Sequence, residues 1–204
     1  MESKRDWDKE FQEYLNTNKT LAYMMLQKSE EFADHYALTQ QVKGEWESIT
    51  WKDFGEQIKS IAKALLEMDI LKPGEMAGIF SANRAEWAIA DLGILTTRAV
   101  SVPIYATNSV EEAEYIVNDA EIKIIFVGDQ DQYDRSKKII KGNKYLKKIV
   151  AMDRDITIEG DDSMYFDQML ELGRKSTRGD MLETRLKEVN PDDTLTLIYT
   201  SGTT

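Results

Sequence analysis

The apolar positions of this chain change period several times, and each change marks an element. Over residues 20–33, Leu21, Met24, Met25 and Phe32 recur at helical spacing, with Thr20 placed as an N-cap. Two strand-like stretches, 37–42 and 46–50, flank Lys43-Gly44 and predict a β-hairpin. Thr50 then opens a longer helix, because Asp53 follows three residues later in the manner of a capping box. Ile58, Ile61, Ala62, Leu65 and Leu66 keep helical spacing along the face that should meet a core. Lys72-Pro73-Gly74 closes the segment with turn chemistry.

From residue 76 the pattern alternates between strands and helices. A short apolar strand over 76–80 precedes a helix over 83–96 that carries Trp87, Ile89, Ala90 and Leu92. A second strand covers 100–105, and Ser109 with Glu112 caps the helix after it. The β-branched run 122–127 ends at Gly128-Asp129, followed by a helix with basic residues over 132–141 and a strand over 148–152. Residues 153–162 read as an acidic loop or short strand. Helices are expected over 165–172 and 181–189, with Gly173 and Gly179 marking the break between them. Asn190-Pro191-Asp192-Asp193 is a turn before a last strand over 195–199. Repeated strand-helix-strand units at this spacing predict an α/β fold, a mostly parallel sheet flanked by helices after an early β-hairpin.

Composition narrows the function classes. With 204 residues, 42% of them hydrophobic, the chain has enough apolar material for one good-sized domain. A net charge of -11 argues against nonspecific binding of nucleic acid or anionic membrane, so a phosphate ligand must be held by locally placed groups. The absence of cysteine excludes a disulfide framework, a thiol nucleophile and a cysteine zinc site, and is compatible with a reducing cytoplasm. Residues 1–10 are charged and lack the apolar core of a secretory signal. No run approaches the roughly 18 apolar residues of a membrane span. His35 is the sole histidine, and its place between Asp34 and Tyr36 near a helix end gives it a structural or solvated role.

The candidate chemistry lies in Tyr199-Thr200-Ser201-Gly202-Thr203-Thr204. Glycine lets backbone N–H groups approach an anion closely, and the neighbouring hydroxyls add donors, so this run after a strand reads as a phosphate-gripping loop. It is not a Walker A loop, because no GK[ST] follows; the alternative is a polar, flexible tail. The group Lys137, Lys138, Lys141, Lys144, Lys147 and Lys148 reads as a solvated face more readily than as a site for coenzyme A phosphates. Glu86, Arg84 and Asp91 read as weak helix-surface ions.

These residues together resemble the adenylate-forming, or AMP-binding, enzymes. The terminal run looks like the first part of that family's signature. Ser48-Ile49-Thr50-Trp51-Lys52-Asp53-Phe54 resembles its early Thr-aromatic stretch, and Leu71-Lys72-Pro73-Gly74-Glu75 with Ala77-Gly78-Ile79-Phe80 resembles the next turn and strand. Asn83-Arg84-Ala85-Glu86-Trp87, Ala90-Asp91-Leu92-Gly93-Ile94-Leu95, Val102-Pro103-Ile104-Tyr105 and Glu114-Tyr115-Ile116-Val117-Asn118-Asp119 look like the long-chain acyl-CoA synthetase branch. Arg98 and Ala106 depart from the family pattern, which puts local turn geometry in question.

The resemblance implies that residues 1–204 are the N-terminal portion of the large adenylation domain, incomplete at the C-terminus. It implies an ATP-dependent long-chain fatty acid–CoA ligase: fatty acid and ATP give acyl-AMP and pyrophosphate, and coenzyme A then gives acyl-CoA and AMP. Thr200, Ser201, Gly202, Thr203 and Thr204 match the loop that holds the outer phosphates of ATP, and Thr200 matches a contact to the Mg2+ shell. No catalytic residue is carried over, since those roles are expected beyond Thr204, and the isolated chain is expected to be inactive. The implied partners are a long-chain fatty acid, ATP and coenzyme A, with no nucleic acid. The implied location is cytoplasmic, with peripheral contact at the inner face of a membrane and self-association left open. Two alternatives also stand: an adenylate-forming enzyme for another carboxylic acid, and a non-catalytic binding or oligomerisation module.

Overall fold

The computed structural model describes residues 6–15 and 20–200. It begins with α1 (Trp7–Leu15), which the sequence pattern does not announce, and α2 (Leu21–Glu31). Thr20 occupies the N-cap of α2, but its side chain accepts no cap hydrogen bond. The buried positions of α2 are Ala22, Leu26 and Ser29, whereas Leu21 and Phe32 stay exposed. Ser29 lies directly against Gly55 of the next helix, where an added Cβ would overlap the serine side chain.

The hairpin follows as antiparallel β1 (Tyr36–Val42) and β2 (Glu45–Thr50), turning at Lys43-Gly44 with both residues at positive φ. Thr50 caps α3 (Trp51–Met68): its Oγ1 accepts the Asp53 N–H at 3.1 Å and donates to Asp53 Oδ2 at 2.9 Å. Phe54, Ile58, Ile61, Ala62, Leu65 and Leu66 form the buried stripe of this helix.

The alternating region gives β3 (Met76–Phe80), α4 (Ala85–Thr96), β4 (Val100–Ile104), α5 (Val110–Asp119), β5 (Ile124–Val127), α6 (Gln130–Ile140) and β6 (Lys148–Ala151). Ser109 and Glu112 close a reciprocal capping box on α5, and Asp129 and Gln132 close one on α6. Next come β7 (Ser163–Tyr165), α7 (Phe166–Lys175) and α8 (Gly179–Glu188). The expected break at Gly173 is absent, since α7 runs through it to Lys175, and the strand of this region lies at β7 rather than within 153–162.

The strands form a parallel sheet in the order β4-β3-β5-β6-β7. Alternate residues point to opposite faces and both faces are buried. Ala77, Ile79, Ile124, Phe126 and Val150 pack with α3, α4 and α7, whereas Phe80, Val102, Ile125, Val127 and Ile149 pack with α5 and α6.

The expected strand over 195–199 is reduced to a single parallel bridge between Ser101 and Thr196 on the free edge of β4. Ser101 N–H donates to Leu195 O at 3.0 Å, and Leu197 N–H to Ser101 O at 3.1 Å. Leu197 and Tyr199 pack on the α5 side, while Leu195 and Ile198 remain exposed. Among the described residues, no helix is long and apolar enough to cross a membrane.

Candidate functional site

In an open parallel sheet, a crevice forms at the carboxyl ends of two adjacent strands whose following helices lie on opposite faces. Here those strands are β3 and β5, since α4 covers one face of the sheet while α5 and α6 cover the other. The residues just after β3 and β5 therefore border a crevice whatever their side chains.

A groove of about 710 Å³ occupies this place. Its walls come from β1 of the hairpin, from Ser81 to Ala85 after β3, from Gly128, Asp129 and Gln132 after β5, and from Asp153 after β6. Arg84 ties these ends together: Nε donates to Glu86 Oε2 at 2.8 Å, Nη1 donates to Gly128 O at 3.0 Å, and Nη2 stands 3.6 Å from Asp153. Burial works against the Arg84 charge, but the Glu86 and Asp153 carboxylates outweigh it. The Asp155 backbone N–H, followed in effect by Arg84, holds the Asp153 carboxyl below the usual carboxylate range despite partial burial.

The hairpin is fastened to the same edge. Gln40 Oε1 accepts the N–H of Ala85, the first residue of α4, at 2.8 Å and so satisfies a helix-start donor that Arg84 cannot cap. At Gly128 an added Cβ would overlap the Ser81 hydroxyl, so glycine is what lets the β3 and β5 ends close together.

A second hollow, of about 440 Å³, shares Ser81, Ala82 and Asn83 with the groove but opens toward β4. Its walls include Trp87, Pro103, Tyr105 and Ile198.

Of the sequence-derived site residues, only Thr200 falls within the described part; Ser201, Gly202, Thr203 and Thr204 lie outside the described residues. Thr200 is exposed. Because the bridge to Ser101 is parallel, the chain runs toward the carboxyl edge of β4, so Thr200 emerges on the crevice side of the sheet. Tyr199 anchors this approach. Its hydroxyl donates to Asp119 Oδ2 at 2.6 Å, and its ring meets Tyr115 edge-on with centroids 6.3 Å apart. Burial first, then the bond to Asp119, holds the Tyr199 phenol well above its usual range, so it stays a donor.

Thr200 supplies one hydroxyl, a hard oxygen suited to Mg2+. Among the described residues no group of three or more His, Asp or Glu could hold a metal ion.

Half of the lysine group is engaged. Lys137 pairs with Asp162 at 2.6 Å, Lys148 donates to Asp161 O at 2.8 Å, and Lys144 lies over the Tyr145 ring. His35 is exposed and stacks edge-on against Phe32. Arg98 adopts a left-handed φ of 65° and turns to Asp193 and Glu188. Sequence reading missed Gln40, Gln132 and Gly128 as groove residues. The one signal for them was position, immediately after a parallel strand or opposite one.

Comparison with known proteins gives consistent findings. The model of the AMP-binding enzyme family matches residues 26–204. Long-chain-fatty-acid–CoA ligase FadD15 of Mycobacterium bovis is 30% identical over 184 residues, which cover 90% of this chain and 29% of that protein. Long-chain-fatty-acid–CoA ligase ACSBG2 of Xenopus laevis is 28% identical over 185 residues, 91% of this chain and 25% of that protein. The crystal structure of the anthranilate CoA ligase AuaEII in complex with anthranoyl-AMP superposes with a TM-score of 0.70 at 20% identity, covering 90% of this chain and 32% of the other. The structural likeness shows the fold. The chain spans less than a third of the length of these relatives.

Proposed function

Since the chain belongs to the AMP-binding enzyme family, we propose that it is the N-terminal part of the large adenylation domain of an ATP-dependent long-chain fatty acid–CoA ligase. The observation that carries this reading is the placement of the Ser/Thr/Gly run. The family match extends through it, and the Ser101 bridge and the Tyr199–Asp119 bond deliver its first residue, Thr200, to the carboxyl edge of the sheet.

A free carboxylate is a poor acyl donor, and adenylation gives it a leaving group. As the carboxylate attacks the α-phosphorus of ATP, negative charge gathers on the departing pyrophosphate. Backbone N–H groups and hydroxyls from Thr200 to Thr204 hold those outer phosphates, and they act most strongly when that charge is greatest. Thr200 would also hold the shell of a bound Mg2+ ion, which would supply positive charge against the phosphates. Coenzyme A then displaces AMP to give acyl-CoA. The same reading places the protein in the cytoplasm, with peripheral contact at the inner face of a membrane as its source of fatty acid.

The test is the Thr203→Ala, Thr204→Ala double variant of the whole protein, measured by pyrophosphate release and by palmitate binding. Each lost donor is expected to cost about 2–4 kcal/mol in adenylation, with palmitate binding nearly intact. An unchanged adenylation rate with weakened palmitate binding would assign the loop to the other substrate.

A further inference from the structure

The hairpin has two unlike faces. Residues paired across it share a face, and side chains alternate along each strand. On the inner face Leu38 and Ile49 pack against the core, and Gln40 reaches the N–H of Ala85. The outer face carries Trp46 opposite Gln41, Ser48 opposite Thr39, and Tyr36 opposite Thr50. Trp46 and Tyr36, 72% and 70% exposed, are the two most exposed large hydrophobic side chains among the described residues. The pairing of Tyr36 with Thr50 sets the two about 13 Å apart along the strands.

Only uncharged groups lie between them. The Thr39 and Ser48 hydroxyls bond each other at 2.9 Å, and the Gln41 amide donates to Gly44 O at 3.2 Å. Glu45 and Glu47 fall on the opposite face by the same alternation, and Lys43 in the turn pairs with Asp155 at 2.9 Å. A chain of net charge -11 thus presents a neutral patch with an amphipathic aromatic side chain at each end. Trp and Tyr rings settle at the headgroup level of a bilayer, where one part of the ring meets hydrocarbon and the other meets water.

Size selects the occupant. The paired strands cover about 200 Å², whereas a stable protein interface takes about 800 Å² from each partner. A second copy or another folded protein would gain too little here, but a fluid bilayer needs only the two rings to enter it. Thr39 and Gln41 also border the groove at the carboxyl ends of β3 and β5, so a surface that holds this face holds the crevice beside it. We propose that the outer face of the hairpin docks the protein on a zwitterionic lipid surface, with Trp46 and Tyr36 as its two anchors. This rests on the ligase reading, which gives the contact its purpose, and names the surface that makes it. Anionic lipid is disfavoured by the charge of the chain.

The test uses the whole protein and its Trp46→Ala, Tyr36→Ala double variant, both changes lying at exposed positions. Circular dichroism checks folding, co-sedimentation with phosphatidylcholine vesicles measures docking, and pyrophosphate release with soluble octanoate measures adenylation. The double variant is expected to lose about tenfold or more in vesicle partition, with octanoate adenylation unchanged. Partition of the unaltered protein should resist added salt, because no charge drives it. Unchanged partition in the folded variant overturns the docking face, and so does an unaltered protein that ignores the vesicles. Partition that requires phosphatidylglycerol and vanishes in salt would assign the contact to lysines and overturns it too. A dimer that dissociates in the variant, read by sedimentation velocity, would give the face to a second copy instead. Partition that responds to the variant without any ATP-dependent pyrophosphate release supports the docking face while removing the ligase reading.

Discussion

Gly173 of α7 rests directly on the backbone of Ser60 in α3, so close that an added Cβ would overlap the Ser60 carbonyl. The two helices form the most extensive helix pairing in the fold, and the glycine is the point at which their backbones meet. Ser60 turns its own hydroxyl away to Glu56 O at 2.7 Å and leaves the contact open.

In an ordinary helix interior, replacing glycine with alanine gains about 1 kcal/mol. At Gly173 the overlap should reverse the sign, and Gly173→Ala is expected to lower stability by about 1–3 kcal/mol as α3 and α7 are forced apart. Urea unfolding measures it. A raised midpoint would mean that the helices tolerate the separation.

Arg98 and Asp193 join the start of β4 to the Asn190–Asp193 turn through Nε–Oδ2 at 3.0 Å. The Arg98 hydrogen bond holds the Asp193 carboxyl below its usual range. A depressed carboxylate contributes stability above its unfolded pKa and loses that contribution as pH falls through its folded pKa. Arg98→Gln should therefore move this part of acid unfolding to higher pH. At neutral pH the cost should stay at or below about 1 kcal/mol, since the pair is partly open to water. Denaturant melts from neutral to acidic pH would show it; superimposable acid limbs would count against the pairing.

Asp91 has the opposite sign. Burial raises its carboxyl above the usual range. Between the unfolded and the raised folded pKa the native state binds more proton than the unfolded state. Stability should thus fall as pH rises through that window and stay lower above it. Asp91→Asn should flatten this decline and stabilise the protein at neutral pH. A variant whose stability still falls over the same window would place the titrating group elsewhere.

The Gln40 contact to Ala85 gives the hairpin a definite task. Gln40→Leu leaves the first N–H of α4 without its partner and should cost about 1 kcal/mol. Hydrogen exchange localises the effect. The Ala85 amide should exchange faster in the variant while Gly78, inside the sheet, keeps its protection. Equal exchange at Ala85 in both proteins would show that water replaces the glutamine at no cost.

Features that depend on three or four neighbouring residues were legible in the chain itself. Thr50 with Asp53 and Ser109 with Glu112 cap their helices as their spacing requires, because donor and acceptor are separated by one helical turn. The strand-helix alternation from Met76 to Ala151 carries its own period, and with it the parallel sheet. Gly173 was misread because a glycine that ends a helix and one that admits a neighbouring helix are the same letter; only the position of Ser60 separates them. The run 195–199 carries a strand pattern, yet pairing needs a partner in register, and β4 offers it a single bridge.

The amino-acid sequence thus determined most of the elements, the Thr50 and Ser109 caps and the parallel fold, since each of these rests on local spacing and side-chain chemistry. Tertiary structure alone decided which residues share the crevice. Gln40, Arg84, Gly128 with Gln132, and Asp153 come from four separate segments; Trp87 shares the segment of Arg84, and Tyr105 and Ile198 come from two more. They meet because β3 sits between β4 and β5 and the helices leave the adjacent β3 and β5 on opposite faces, an arrangement fixed by strand order and packing over the whole sheet rather than by any local run of residues.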